Sequence, residues 1–306
     1  MKKKYILAAD VGGTKIECVL FNIDGELLNS KTFKTNEVIK FDVADCLAVE
    51  MKRIIQEQGI RLNEVSYVGL GVTGLVDSAA GVVLEAPSLN WENYPMQEKL
   101  QNLLGIPVCI GNDVNIGLLG EVEKGTLEGV NHAIYFMIGT SIGAGLFLNG
   151  EIYEGHSFSA GEVGYAITEK SVVSKGFRAA RPGYGYLSTH AGGYGMAHKY
   201  AELMGLSVST EELFQLAKSD DPVAKSIIEE AVEHISTCLI NLTVILNPEV
   251  ILFSGGVGSQ LKPFLEKINE NLDKYVPFKP ELNISSLGNH SVLYGAYSLC
   301  RKRLDV

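Results

Sequence analysis

Two stretches of the chain repeat one pattern of apolar and polar positions. Tyr5 to Phe21 runs as an apolar strand, a glycine turn at Gly12-Gly13 and a second apolar strand, followed by Asn22-Ile-Asp-Gly-Glu26. Ala133 to Phe147 does the same around Gly139 to Gly145, followed by Leu148-Asn-Gly-Glu151. Each reads as strand, glycine-rich turn, strand, and an Asp-Gly or Asn-Gly turn into a third extended stretch. One such unit opening each half predicts a duplicated α/β domain.

The segments between them read as helices and buried strands. Val43, Leu47, Met51, Ile54 and Ile55 recur at helical spacing and predict a helix over about 42–57, ending near Gly59. Val65 to Val72 and Pro107 to Ile110 read as strands, the first leading into Thr73-Gly74. A helix is expected from Asn112-Asp113 to about Lys124. Between Pro222 and Leu246 the apolar positions trace one face of a long helix, which Asn247-Pro248 stops. Val250 to Phe253 is a buried strand ending at Ser254-Gly-Gly-Val-Gly258. The stretch from Glu169 to Gly195 shows no clean period and reads as a long irregular excursion near the active site.

Composition narrows the function classes. The 306 residues suit two domains at ~150 residues each. With 36 acidic against 26 basic residues and a net charge of -10, the chain is a poor match to nucleic acid. Lys2-Lys3-Lys4 and Arg301-Lys302-Arg303 read as solvated tails. The cysteines at 18, 46, 109, 238 and 300 form no C-x-x-C pair, so neither a disulfide framework nor a zinc knuckle is expected. No apolar run is long enough to span a membrane, and Tyr5–Ala9 is too short for a signal-peptide core. These features together predict a cytoplasmic protein without nucleic-acid or membrane partners.

Three glycine clusters carry the candidate chemistry. In Asp10-Val-Gly-Gly-Thr-Lys15, Gly12 and Gly13 let successive backbone amides approach phosphate oxygens. Thr14 adds a hydroxyl, Lys15 a charge, and Asp10 a carboxylate that could hold Mg²⁺ or its water shell. Gly139-Thr140-Ser141-Ile-Gly143-Ala-Gly145 is the matching loop of the second half. Ser254-Gly255-Gly256-Val-Gly258 follows a buried strand, where nucleotides commonly sit. Any one of these could be an ordinary turn. The three together, each closing an apolar strand, favour a nucleotide-binding cleft.

At these residues the chain resembles the ROK family of sugar kinases and related repressors, within the actin, Hsp70 and hexokinase superfamily. The resemblance covers nearly the whole chain, through Asp10-x-Gly-Gly-Thr-Lys15, Gly69-Leu-Gly-Val-Thr-Gly74, Asn112-Asp113, Ile138-Gly-Thr-Ser-Ile-Gly-Ala-Gly145 and Ala160-Gly-Glu-Val-Gly164. It continues through Asn247-Pro-Glu-Val-Ile251, Ser254-Gly-Gly-Val257 and Tyr294-Gly-Ala296. It implies an α/β, two-lobed actin-like ATPase (ribonuclease H-like) fold with duplicated domains around a central cleft. The expected lobes are 1–115, joined by a C-terminal helix at about 292–306, and 116–291. It further implies an ATP-dependent, Mg²⁺-using carbohydrate kinase. The first two loops would cradle the ATP phosphates, and the loop at Gly255 and Gly256 would line the adenosine site. Asp113 would be the catalytic base, Asn112 would orient the sugar, and Gly74 would lie beside it; a helix N-cap is the other reading of Asn112-Asp113. A homodimer is the assembly the resemblance favours. Repressor members carry a helix-turn-helix segment ahead of the first loop, which here begins within ten residues of the start, so the kinase branch is expected.

The sugar side departs from the family. Typical members follow Gly-Glu-x-Gly with a histidine and then a Cys-x-Cys-x-x-x-x-Cys cluster that completes a zinc site. Here Gly161-Glu162-Val-Gly164 is followed by Tyr165, and 166–187 holds no cysteine, so no structural zinc is expected. His156 and His190 read as lone packing or solvent-facing residues. Where the family reads Leu-Glu-Thr, this chain has Leu187-Ser188-Thr189. Where it reads Pro-Asn-Leu, this chain has Pro87-Ser88-Leu89-Asn90-Trp91, so Ser88 or Asn90 would take over that hydrogen bond. Glu162, Tyr165, Ser188, Asn90 and Ser88 are therefore the expected sugar contacts, while Arg178, Arg181, Tyr184 and Tyr186 of the altered loop read either as further substrate contacts or as exposed loop residues. The acceptor would be a hexose, an N-acetylhexosamine such as N-acetylmannosamine, or a β-glucoside. A sugar-binding sensory protein that has lost efficient chemistry is the alternative.

Overall fold

A computed structural model describes residues 4–304, which form two compact units. The first takes the chain as far as Glu128, with Glu154–Ser159 and the segment from His290 onward. The second comprises Gly129–Tyr153 and Ala160–Asn289.

The strands of the first unit are β1 (Tyr5–Val11), β2 (Lys15–Asn22), β3 (Leu27–Lys34), β4 (Val65–Val72), β5 (Leu75–Asp77), β6 (Val82–Ala86), β7 (Trp91–Tyr94) and β8 (Val108–Asn112). Those of the second are β9 (Ala133–Ile138), β10 (Ile142–Leu148), β11 (Glu151–Ile152), β12 (Val250–Ser254) and β13 (Glu281–Ile284). The main sheets have one topology. Their orders are β3-β2-β1-β4-β8 and β11-β10-β9-β12-β13, with a meander leading into three parallel strands in each. The repeat legible in the sequence is thus a repeat of whole sheets. A small antiparallel sheet, β5-β6-β7, is inserted after β4.

β1 is apolar up to Asp10 because both its faces are covered. Leu7 and Ala9 join the core made with Leu47, Met51 and Ile54 of the Val43–Glu57 helix. Ile6 and Ala8 face the other way, onto Val292, Leu293 and Ala296 of the Ser291–Lys302 helix. A strand buried on two faces loses polar alternation, which is the reason for the unbroken run in the sequence. The second unit has its own core, built on Ile134, Phe136, Ile251 and Phe253 with Ile227, Ile228 and Ile235 of the Pro222–Leu246 helix.

Two sequence expectations shift. The first unit runs to Glu128 rather than 115, because the Asp113–Lys124 helix packs on the Ser291–Lys302 helix. The two helices touch backbone to backbone: a Cβ on Gly295 would lie 1.7 Å from the Ile116 carbonyl oxygen, and one on Gly120 2.1 Å from that of Ser291. The excursion expected over 169–195 is partly helical, with Tyr186–Ala191 and the start of Gly193–Met204 inside it. Tyr186, Leu187, Ser188 and Ala191 are all buried there, so no single apolar stripe marks the short helix.

Candidate active site

In the first unit the candidate residues gather at the carboxyl ends of parallel strands, where open α/β sheets bind ligands. β1 ends at Asp10-Val11, β4 runs into Thr73-Gly74, and β8 ends at Asn112.

Asn112 is the N-cap of the Asp113–Lys124 helix. Its Oδ1 accepts the backbone N–H groups of Val114 (3.0 Å) and Asn115 (3.1 Å), satisfying donors a helix start leaves unpaired. Its Nδ2 donates to the Gly74 carbonyl (2.8 Å) and to Asp113 Oδ1 (3.2 Å). The amide is thereby spent within the loop. The N-cap expected of Asn112-Asp113 is present, and the capping amide also holds the adjacent carboxylate in place. Gly74 serves the same arrangement: its φ is +106°, and a Cβ would meet the Glu85 carbonyl oxygen at 2.2 Å.

Asp113 retains some solvent contact but is packed round by protein atoms. Burial pushes its carboxyl up to about 6, against the lowering effect of the Val114 N–H, its own N–H and the Thr73 hydroxyl. Asp10 rises to about 7, first from burial and then from repulsion by Asp113, with Lys15 opposing. Lys15 is itself paired with Glu17 at 3.2 Å. The site thus holds two mutually repelling carboxyl groups that lack a full counter-charge. Such a donor set fits a hard divalent cation coordinated by oxygen.

The turn after β1 is closed by Gly12 N–H donating to the Lys15 carbonyl (3.1 Å) and pinned by Thr35 Oγ1 on the Gly12 carbonyl (2.7 Å). Gly13, Thr14 and Lys15 stand exposed beyond that closure. A Cβ on Gly13 would fall 2.6 Å from Cβ of Ser88, so the loop lies directly on the Pro87–Leu89 turn. Ser88 and Asn90 are both exposed there, Asn90 in a left-handed conformation at φ +54°. A pocket of about 490 Å³ borders this turn, lined by Asn90, Trp91, Glu85 and Glu92 among others.

In the second unit the glycine loop between β9 and β10 is tied to the start of the Gly193–Met204 helix. Gly193 N–H donates to the Gly139 carbonyl (2.9 Å) and Tyr194 N–H to that of Thr140 (3.1 Å), while Thr140 and Ser141 stay exposed. Gly255 and Gly256 open the Gly255–Gln260 helix rather than a loop. Gly255 requires its glycine, with φ +82° and the Ile138 carbonyl oxygen 2.4 Å from a Cβ position. At Gly256 a Cβ would meet nothing within 4 Å, so this face of the backbone is open to a ligand.

The expected sugar contacts of this unit separate. Glu162 lies exposed at the start of the Val163–Tyr165 turn. Tyr165 ties the altered loop down, its hydroxyl donating to the Gly183 carbonyl at 2.7 Å. Ser188 corrects the expectation. It is only 3% exposed, and its Oγ accepts the Ile142 N–H at 3.1 Å, so it fastens a helix to β10. Tyr186 is also turned inward, 2% exposed, with its hydroxyl on Glu169 Oε2 (3.1 Å). Arg181 lies over the rings of Tyr184 and Tyr194, and Arg178 is exposed. The sequence reading missed Thr73, whose hydroxyl bonds Asp113; its place between β4 and Gly74 was the available signal.

The sequence profile described as the ROK family matches residues 6–303. A glucokinase of Halalkalibacterium halodurans is 27% identical over 99% of this chain and 97% of its own length. A beta-glucoside kinase of Listeria innocua is 28% identical over 95% of both chains. The solved structure of a ROK hexokinase from Thermus thermophilus superposes with a TM-score of 0.81 at 27% identity, covering 98% of this chain and 99% of that one.

Proposed function

Because the chain belongs to the ROK family, we propose that it is an ATP-dependent sugar kinase in which Asp113 is the general base. The observation that carries the assignment is the Asp113 carboxyl, held by the Asn112 cap at a strand end and lifted by burial to about 6. A base of that strength is ionised at neutral pH and still accepts a proton readily.

The Asp113 carboxylate takes the proton from a sugar hydroxyl as its oxygen bonds to the γ-phosphorus of ATP. The bond from that phosphorus to the bridging oxygen breaks, ADP leaves with the electron pair, and Asp113 later releases its proton to solvent. Such transfer depends on positioning and charge neutralisation more than on covalent chemistry by the protein. Asn112 and Thr73 position the carboxylate. The exposed amides and side chains of Gly13, Thr14 and Lys15 bind phosphate oxygens, as do those of Thr140 and Ser141, in a turn that the Gly139 N–H closes on the Ser141 carbonyl. Gly255 and Gly256 border the adenosine. Asp10 would hold Mg²⁺ directly or through water; when bound, the ion neutralises charge across the phosphates.

On the sugar side, Glu162 is the first hydrogen-bonding contact, with Asn90 and Ser88 of the first unit. The acceptor class is a hexose, an N-acetylhexosamine or a β-glucoside, which the glucokinase and beta-glucoside kinase relatives support. The test is ATP turnover by the purified chain over a panel of glucose, N-acetylmannosamine and β-linked glucosides with Mg²⁺. At least one sugar should stimulate ADP release well above the sugar-free rate. Thermal stabilisation by a sugar with no turnover on any of them would establish a binding protein instead.

A further inference from the structure

Away from the phosphate loops, the second unit brings together two imidazoles and a carboxylate. His190 comes from the Tyr186–Ala191 helix, and Glu230 and His234 lie one turn apart on the Pro222–Leu246 helix. His190 Nδ1 is 3.5 Å from Glu230 Oε1, and His234 Nε2 is 3.8 Å from the same oxygen. The three candidate ligand atoms all lie within 4.8 Å of one another. It is the one group of this kind among the described residues. His190, read from the sequence as a lone histidine, therefore has company that only the fold reveals.

We propose that His190, Glu230 and His234 form a binding site for a zinc-class divalent ion that fastens the Tyr186–Ala191 helix to the Pro222–Leu246 helix. Two nitrogens and one oxygen are a donor set zinc accepts, leaving a fourth position for water. Ligand atoms around a tetrahedral ion bonded at ~2.1 Å sit ~3.4 Å apart, so the observed separations need only small side-chain adjustments to close.

The surroundings suit the role. Thr168 Oγ1 is 2.7 Å from His234 Nδ1 and can accept that N–H, leaving Nε2 with its lone pair toward Glu230. The carboxylate of Glu230 is divided: Oε2 accepts Lys199 Nζ at 2.5 Å, while Oε1 faces the imidazoles. Tyr186 packs on both rings, 4.3 Å from His190 and 5.5 Å from His234, and so limits their rotation. The fastened helix also carries Ser188, whose bond to Ile142 passes the constraint to β10.

The experiment uses the full chain, without an affinity tag, stripped of metal by chelator and titrated with zinc and with cobalt. The expected results are one zinc bound per chain, the visible absorption of tetrahedral cobalt, and a melting temperature raised by about 5 °C at saturating zinc. His190→Gln and His234→Gln should each weaken zinc binding by ~100-fold or more, and Thr168→Val by ~10-fold. Lys199→Met should strengthen it by removing the competing cation, and His198→Gln should leave it unchanged. Should a variant fail to fold, the cobalt spectrum of the unaltered chain decides. Absence of stoichiometric zinc binding and of a tetrahedral cobalt spectrum, or binding undiminished in the folded His190→Gln/His234→Gln chain, overturns the proposal.

Discussion

Asp10 and Asp113 together make the ligand-free site an electrostatic liability. Both carboxyls hold their protons more tightly in the folded chain than the ~3.9 of an unfolded aspartate, at about 7 and about 6. The folded state therefore binds more protons than the unfolded one between these limits. The stability they contribute is complete below pH ~4 and is lost as pH rises through 6 to 7. Asp10→Asn removes one charge of the pair, so the metal-free variant should melt about 3 °C above the unaltered chain at pH 8. At pH 4 the two should nearly coincide. Thermal unfolding at both pH values checks this, and equal melting temperatures at pH 8 would mean that Asp10 carries no such strain. A phosphate-bound cation would relieve the same repulsion, which is the sense in which a site is less stable than its scaffold could be.

The elements differ in how openly the sequence declares them. β1, β2, β4 and the Val43–Glu57 helix were legible, because a buried strand leaves an apolar run and a surface helix leaves a stripe. The Tyr186–Ala191 helix was not, since it is short and buries side chains around most of its circumference. Asn112-Asp113 was legible as a helix cap, and the capping amide also bonds the carboxylate proposed as the base. The burial of Ser188 was not legible, because its place in a motif says nothing of packing; its hydroxyl oxygen accepts the Ile142 N–H. His234 went unremarked on a helix read for its apolar face, although Glu230 one turn earlier was a signal. The helix crossing at Gly120 and Gly295 makes the sharpest prediction at this scale. Gly295→Ala puts a methyl 1.7 Å from the Ile116 carbonyl oxygen and should cost about 2 kcal/mol or more in chemical denaturation. An unchanged midpoint would mean that the helices part without penalty. Because the Asp113–Lys124 helix carries the proposed base at its first residue, activity should fall with it.

For the whole molecule, duplication explains the distribution of the candidate chemistry. Each unit repeats the same sheet order, and each presents glycine-rich backbone where its parallel strands end. The repeats have diverged in what they add: the first carries the paired carboxyls, and the second the Gly255–Gln260 helix and the Glu162 turn. The family assignment rests on the full span of this arrangement, residues 6–303, rather than on one motif. In the second unit Tyr165 bonds the Gly183 carbonyl and Ser188 accepts the Ile142 N–H, so both side chains also tie the fold together. The central claim is that Asp113 removes the proton in phosphoryl transfer. The most direct measurement is phosphate transfer to the best sugar of the panel by Asp113→Asn, with ATP affinity measured on the same preparation. We predict a loss of kcat by ~10³-fold or more with ATP affinity nearly unchanged. Retention of kcat within a few-fold of the unaltered chain would contradict it.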